Sequence, residues 1–270
     1  MKRLKIGIIG CGFMGTEMAK FSKKELSHIT RLVALYDIRR EKAETLASFL
    51  KSEGAITKSD NEVFKKSDLI IECASPVTAK PFLEKAIKMS KSILIMSVGG
   101  LIKSSNLLNK AREKGIKVYL PSGAILGIDG LKAAKLSVIR KVTLTTRKPP
   151  RGLVGAPYLK EKGIDVSAIK SETIIFEGNA AEAVKAFPKN VNVASLLSIA
   201  GLGSKKTKVR IMTSPKYKKN THEIEIEGEF GRINIVTENV PSENPKTSKL
   251  AALSAMATLW GIADSVKIGT

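Results

Sequence analysis

The chain has 270 residues, 43% of them hydrophobic and 26% charged, enough to bury a core and fill one large domain or two of ordinary size, which excludes a disordered tail. No stretch offers 18 uncharged apolar residues, Met1-Lys2-Arg3 leads into a strand-like run, and Cys11 and Cys73 stand alone, so a cytoplasmic protein is expected, with ordinary buried thiols and neither membrane partner, disulfide framework nor metal site. The formal charge of +21 invites nucleic acid, but the lysines recur at solvent positions of helical patterns (Lys20, Lys23, Lys24, Lys85, Lys88, Lys132, Lys135) without interleaved aromatics, so no nucleic-acid partner is expected and a surface attracting anionic metabolites is.

Residues 4–9 form an apolar run suited to a strand buried on both faces. It breaks into Gly10-Cys11-Gly12-Phe13-Met14-Gly15, and 13–24 read as the following helix. In this G-x-G-x-x-G pattern Gly10 permits the tight turn, Gly12 clears the approach of a pyrophosphate, and Gly15 lets the helix pack on the sheet. The helix N-terminus then favours the phosphates. A second strand, 32–37, ends in Asp37, 22 positions after Gly15, where a carboxylate accepts from a ribose hydroxyl and repels a 2'-phosphate. That argues for NAD. Arg39 and Arg40, just beyond, keep NADP open.

Strand and helix patterns continue to alternate: helix 40–51, strand 68–73, helix 79–89, strand 92–98, helix 104–114 with Ser104 as a candidate N-cap, and strand 116–120. This predicts an α/β Rossmann fold, a doubly wound parallel sheet, over residues 1–121. Ala74 and Ser75 leave a strand at its carboxyl edge and join Gly10, Gly12, Phe13, Met14, Gly15 and Asp37 as candidate cofactor contacts. Pro76 reads equally well as helix-start punctuation.

From residue 141 the pattern changes to closely spaced strands, 142–146, 173–176, 208–213, 222–227 and 232–237. They predict a smaller α+β domain with a mostly antiparallel sheet over residues 122–245. Glu223-Ile224-Glu225-Ile226-Glu227 alternates strictly and has one buried and one wet face. A last helix, 247–263, carries Leu250, Leu253, Met256, Ala257 and Trp260 at helical spacing, and residues 246–270 are expected to return to the first domain.

Three segments are candidates to serve the substrate: 121–130, dense in small residues; 187–194, with Asn190 and Asn192 at a helix start; and 220–223. Either asparagine reads as a helix cap or as a ligand contact. Histidine is scarce. His28 follows the first helix in a basic stretch, whereas His222 opens a strand and titrates where amine and imine chemistry needs a proton shuttle, so it is the candidate catalytic group beside a structural alternative.

The stretches Pro121-Ser122-Gly123-Ala124, Gly127-Ile128-Asp129-Gly130-Leu131, Phe187-Pro188-Lys189-Asn190-Val191-Asn192-Val193-Ala194, Asn220-Thr221-His222-Glu223-Ile224 and Asn244-Pro245-Lys246-Thr247-Ser248-Lys249-Leu250 resemble the signature segments of the L-aspartate dehydrogenase family. The resemblance implies NAD- or NADP-dependent oxidative deamination of L-aspartate to iminosuccinate, then oxaloacetate and ammonia, in service of NAD biosynthesis, by a homodimer. It implies that His222 is the active-site histidine, that Ala124 contacts the cofactor, and that Asn190 or Asn192 does so too, with Asn192 favoured. Two alternatives stand beside it: another Rossmann reductase of the dihydrodipicolinate reductase or homoserine dehydrogenase type, or a non-catalytic NAD-binding regulator.

Overall fold

The apolar run at the start of the chain becomes the central strand of a parallel sheet, because every neighbour it needs is equally apolar. In the computed structural model, which describes residues 3–188, 192–240, 242–243 and 247–269, the chain divides into two compact units, Met1–Pro121 with Ala252–Ile268 and Ser122–Ala251 with Gly269–Thr270.

The first unit runs β1 (Leu4–Ile9), α1 (Phe13–Lys24), β2 (Thr30–Tyr36), α2 (Arg40–Phe49), α3 (Asp60–Lys66), β3 (Leu69–Glu72), α4 (Pro76–Lys88), β4 (Ser92–Ile95), α5 (Ser105–Glu113) and β5 (Val118–Tyr119). Its strands are all parallel, in the order β2-β1-β3-β4-β5. An isolated parallel bridge between Leu35 and Ile56 adds a one-residue strand outside β2. Counting it, the order is the 3-2-1-4-5-6 of dinucleotide-binding folds. Ile6, Ile8, Ile9, Leu69, Ile70 and Ile71 are buried on both faces, as a parallel sheet covered by helices requires.

Several local readings are corrected. Helix α4 begins at Pro76, whose ring suits the first helical position, and not at residue 79. The strand read as 92–98 stops at Ile95, and Val98–Leu101 coils into a 3-10 turn. That turn presses on α4 so closely that a Cβ on Gly100 would lie 1.9 Å from the Pro76 carbonyl oxygen. Ser104 stands at the N-cap position of α5, yet its side chain makes no capping bond. Helix α3 was not foreseen, since only Val63 and Phe64 of its seven residues are buried.

The second unit contains α6 (Ile128–Ala134), β6 (Ile139–Lys148), α7 (Pro157–Glu161), β7 (Thr173–Asn179), α8 (Ala180–Ala186), α9 (Asn192–Ala200), β8 (Lys208–Thr213), β9 (Asn220–Gly228) and β10 (Gly231–Asn239). Its sheet has the order β10-β9-β6-β8-β7 and is antiparallel apart from the parallel pair β6–β8. Strand β9 keeps its alternation: His222, Ile224 and Ile226 are buried, while Glu223 pairs with Arg147 at 2.7 Å and Glu225 with Lys141 at 2.6 Å on the other face.

The last helix, α10 (Lys249–Ala263), buries a different stripe from the one read in the sequence. Ala252, Ala255 and Leu259 point inward, and Ala255 and Leu259 join the core formed by Met18, Leu35 and Ile71. Leu253 and Trp260 are about half exposed, the indole lying 6.4 Å from the Phe21 ring. A helix apolar on every side gives no unique inward face.

Candidate active site

At the carboxyl edge of the first sheet the three glycines have three different surroundings. Gly10 has φ +95°, and a Cβ there would meet the Cys73 carbonyl at 2.6 Å. A Cβ on Gly15 would lie 1.9 Å from the Gly10 oxygen, so helix α1 approaches this turn only because the residue is glycine. A Cβ on Gly12 would meet nothing within 4 Å among the described residues. The space in front of Gly12 is open, and α1 begins there with no side-chain cap and no acidic residue in its first turn. Uncapped N–H groups facing open space are what a pyrophosphate requires. Phe13 and Met14 are the first two residues of that helix, both half-buried.

Asp37 immediately follows β2 beside this turn. Its Oδ2 accepts from the Cys11 N–H at 2.7 Å and its Oδ1 from the Arg39 N–H at 2.9 Å, so the carboxylate fixes the glycine turn while retaining lone pairs for a ribose hydroxyl. A pocket of about 430 Å³ opens next to it, lined by Gly12, Phe13, Thr16, Lys42, Thr45 and Phe49 among others. Burial first, then the charge of Asp37, pushes the Cys11 thiol up to about 12, so it is not a nucleophile. Ala74 is exposed just beyond β3, and Ser75 stands at the N-cap of α4 with its N–H shared between Glu72 Oε1 at 3.1 Å and Thr78 Oγ1 at 3.3 Å. These residues fit a dinucleotide.

In the second unit His222 lies at one end of the buried sheet face. Its ring shares a 3.0 Å hydrogen bond between Nδ1 and Thr146 Oγ1 on β6, and Thr237 faces it from β10 in register. Thr237 Oγ1 is buried with no hydrogen-bond partner among the described residues. Two residues beyond Thr146 on the same face comes Lys148, whose register partner Thr213 donates to the Lys148 carbonyl at 2.8 Å. Further along, the face is Leu144, Val142, Ile224, Ile226, Val209 and Ile211, all buried and apolar. The sheet thus carries a polar end with one imidazole and one ammonium. Burial, aided by the Lys148 charge, lowers His222 to about 3, and burial lowers Lys148 to about 8. The ring is therefore neutral near pH 7 and able to accept a proton.

Ala124 is tied to the same strands. Asn239, almost fully buried at the end of β10, donates from Nδ2 to the Ala124 carbonyl at 3.0 Å. Asn192 is exposed at the first turn of α9, and Asn190 lies outside the described residues, as does the segment 244–246. His28 is exposed on the first unit. The broad depression of about 870 Å³ in the second unit lies on the opposite face of the sheet, among Lys141, Glu177, Arg210 and Glu225, and holds ion pairs instead of His222. Glu72, Lys148 and Asn239 were not singled out from the sequence: nothing local distinguishes them, and only strand register places them.

Comparison with known proteins adds kinship to this geometry. The family described as "Aspartate dehydrogenase, C-terminal" matches residues 129–262, and the one described as "Homoserine dehydrogenase, NAD binding domain" matches residues 10–121. The chain is 45% identical over 271 residues to the L-aspartate dehydrogenase of Methanosarcina barkeri, covering 99% of this chain and 100% of that one. It is 41% identical over 276 residues to that of Nitrosopumilus maritimus, covering all of both. The crystal structure of aspartate dehydrogenase from Thermotoga maritima superposes with a TM-score of 0.73 at 25% identity over 99% of this chain and 100% of that chain. A homoserine dehydrogenase from Thiobacillus denitrificans shares the fold at 14% identity, with a TM-score of 0.65 over 97% of this chain and 74% of that one.

Proposed function

The chain belongs to the L-aspartate dehydrogenase family, oxidoreductases that use NAD or NADP, and on that premise we propose that it oxidatively deaminates L-aspartate, with His222 as the acid–base group. The observation that carries the reading is the polar end of the second sheet, where a neutral imidazole held by Thr146 stands near a lysine in an otherwise apolar face.

Hydride leaves the substrate's α-carbon only when the neighbouring nitrogen has a lone pair, so a base must first take a proton from the ammonium. His222 serves through Nε2, since Nδ1 is engaged with Thr146, which also fixes the ring's orientation. A nicotinamide held by the first unit would supply the hydride acceptor. Water then adds to iminosuccinate, and the protonated ring returns its proton as the adduct collapses to oxaloacetate and ammonia. Lys148 supplies a cation for one substrate carboxylate. The two substrate charges also offset the effect of Lys148 on His222 and raise the basicity of the ring when the base is needed.

On the cofactor side, Gly10, Gly12, Phe13, Met14, Gly15, Asp37, Ala74 and Ser75 hold the nucleotide, joined by Ala124, Asn192 and Asn190. Asp37 favours NAD, and Arg39 and Arg40 give a 2'-phosphate two cations, so NADP is a second cofactor. We propose in addition a homodimer, a cytoplasmic location and supply of iminosuccinate for pyridine nucleotide synthesis, as the resemblance of the signature segments implies. NADH formation monitored with L-aspartate and a panel of other amino acids tests the reading. Turnover is expected with L-aspartate, and turnover confined to another amino acid contradicts it.

A further inference from the structure

Glu72 is the last residue of β3, fully buried, and has no part in the chemistry above. Its register partners on the neighbouring strands are Ile9 of β1 and Ile95 of β4, so the sheet accepts an apolar side chain at this level on either side. A buried carboxylate costs free energy unless it is fully hydrogen-bonded. Here every hydrogen bond it receives comes from a loop. Oε1 accepts from the Ala74 N–H at 2.8 Å, the Ser75 N–H at 3.1 Å and the Ser97 hydroxyl at 3.0 Å, and Oε2 accepts from the Ser97 N–H at 3.1 Å. The loop after β3 in turn abuts the phosphate turn, because the missing Cβ of Gly10 faces the Cys73 carbonyl and the Ala74 nitrogen at 2.6 and 2.8 Å.

From this geometry we propose that Glu72 is a positioning residue for the nicotinamide half of the cofactor, its carboxylate locking the loops after β3 and β4 into one preformed edge. The assignment to that half follows from topology. Ligands bind outside the carboxyl ends of the strands, the adenosine side lies over β1 and β2 where Asp37 stands, and β3 and β4 belong to the second mononucleotide half. Burial raises the Glu72 carboxyl above its ordinary value, and the N–H and O–H donors offset only part of that rise. Three of the four partners are backbone N–H groups, which can only donate and so favour the ionised form. This inference rests on dinucleotide binding by the first unit and is independent of His222.

Glu72→Gln tests it, because an amide of the same shape turns an N–H toward the Ser97 or Ala74 donors. Binding of NADH and of ADP, which lacks the nicotinamide nucleotide, is measured by calorimetry on the wild type and the variant. The expected result is NADH affinity lowered about tenfold, the worth of one hydrogen bond to a charged group, with ADP changed less than about threefold. Equal losses for the two ligands, or none for NADH, overturn the proposal. Should the variant not fold, Ser97→Ala removes a single donor from the same carboxylate, and a loss of roughly threefold or more confined to NADH is expected. A loss shared with ADP, or no loss, overturns it equally.

Discussion

His222 is lowered by burial and by the Lys148 charge, Lys148 by burial alone, and each direction has a measurable consequence. The unfolded imidazole titrates near 6.5 and the folded one near 3. Between those values the unfolded chain binds more protons, so the stability due to this residue is full above about pH 6.5 and is lost as pH falls toward 3. Melting temperatures of the wild type and His222→Gln between pH 7.5 and 4.5 are expected to differ in slope, the wild type losing more, and equal slopes would show that the ring is not buried in its neutral form. Lys148, lowered to about 8, is charged below that pH and neutral above it. The KM for L-aspartate is expected to rise above pH 8 in the wild type. Lys148→Met is expected to raise it roughly tenfold to a hundredfold at pH 7, the worth of a hydrogen bond between charged groups, with NADH affinity unchanged. A KM unmoved by the substitution removes Lys148 from substrate binding. His222 was legible in the sequence because histidine occurs only twice, whereas Lys148 is one of 46 basic residues and is distinguished by register alone.

The β1–turn–α1 element separates folding from binding within four residues. Gly15→Ala places a methyl group 1.9 Å from the Gly10 oxygen, and the helix must shift, at about 1–3 kcal/mol of stability. Gly12→Ala points into open space and is expected to leave the cofactor-free protein within about 0.5 kcal/mol of the wild type. The same methyl stands where the pyrophosphate approaches, so NADH affinity falls about tenfold or more as a charge-assisted bond is lost. Thermal melts with and without NADH distinguish the two variants, and a Gly12→Ala protein that binds NADH normally would move the nucleotide elsewhere. This element was readable from sequence because glycine demands are local. The parallel pairing of β6 with β8 was not, since alternation within a strand carries no information about its neighbour's direction. Nor was the inward face of α10, where Leu253 and Trp260 looked like core and Ala255 and Leu259 are.

Across the whole molecule, the fold of each unit follows from its hydrophobic period: near-continuous apolar strands in the first, alternating ones in the second. The net charge of +21 acts on every anionic ligand, and its long-range part is screened by salt. The KM for the dicarboxylate substrate, a net monoanion, is expected to rise with ionic strength while kcat stays nearly constant. A salt-independent KM would mean that only short-range contacts attract it. The most direct test of the assignment is His222→Ala, assayed for L-aspartate-dependent NADH formation alongside NADH affinity. Turnover should fall by about two orders of magnitude or more, as loss of a general acid–base group does, with cofactor affinity intact. Turnover equal to that of the wild type would contradict it and leave the imidazole a structural residue.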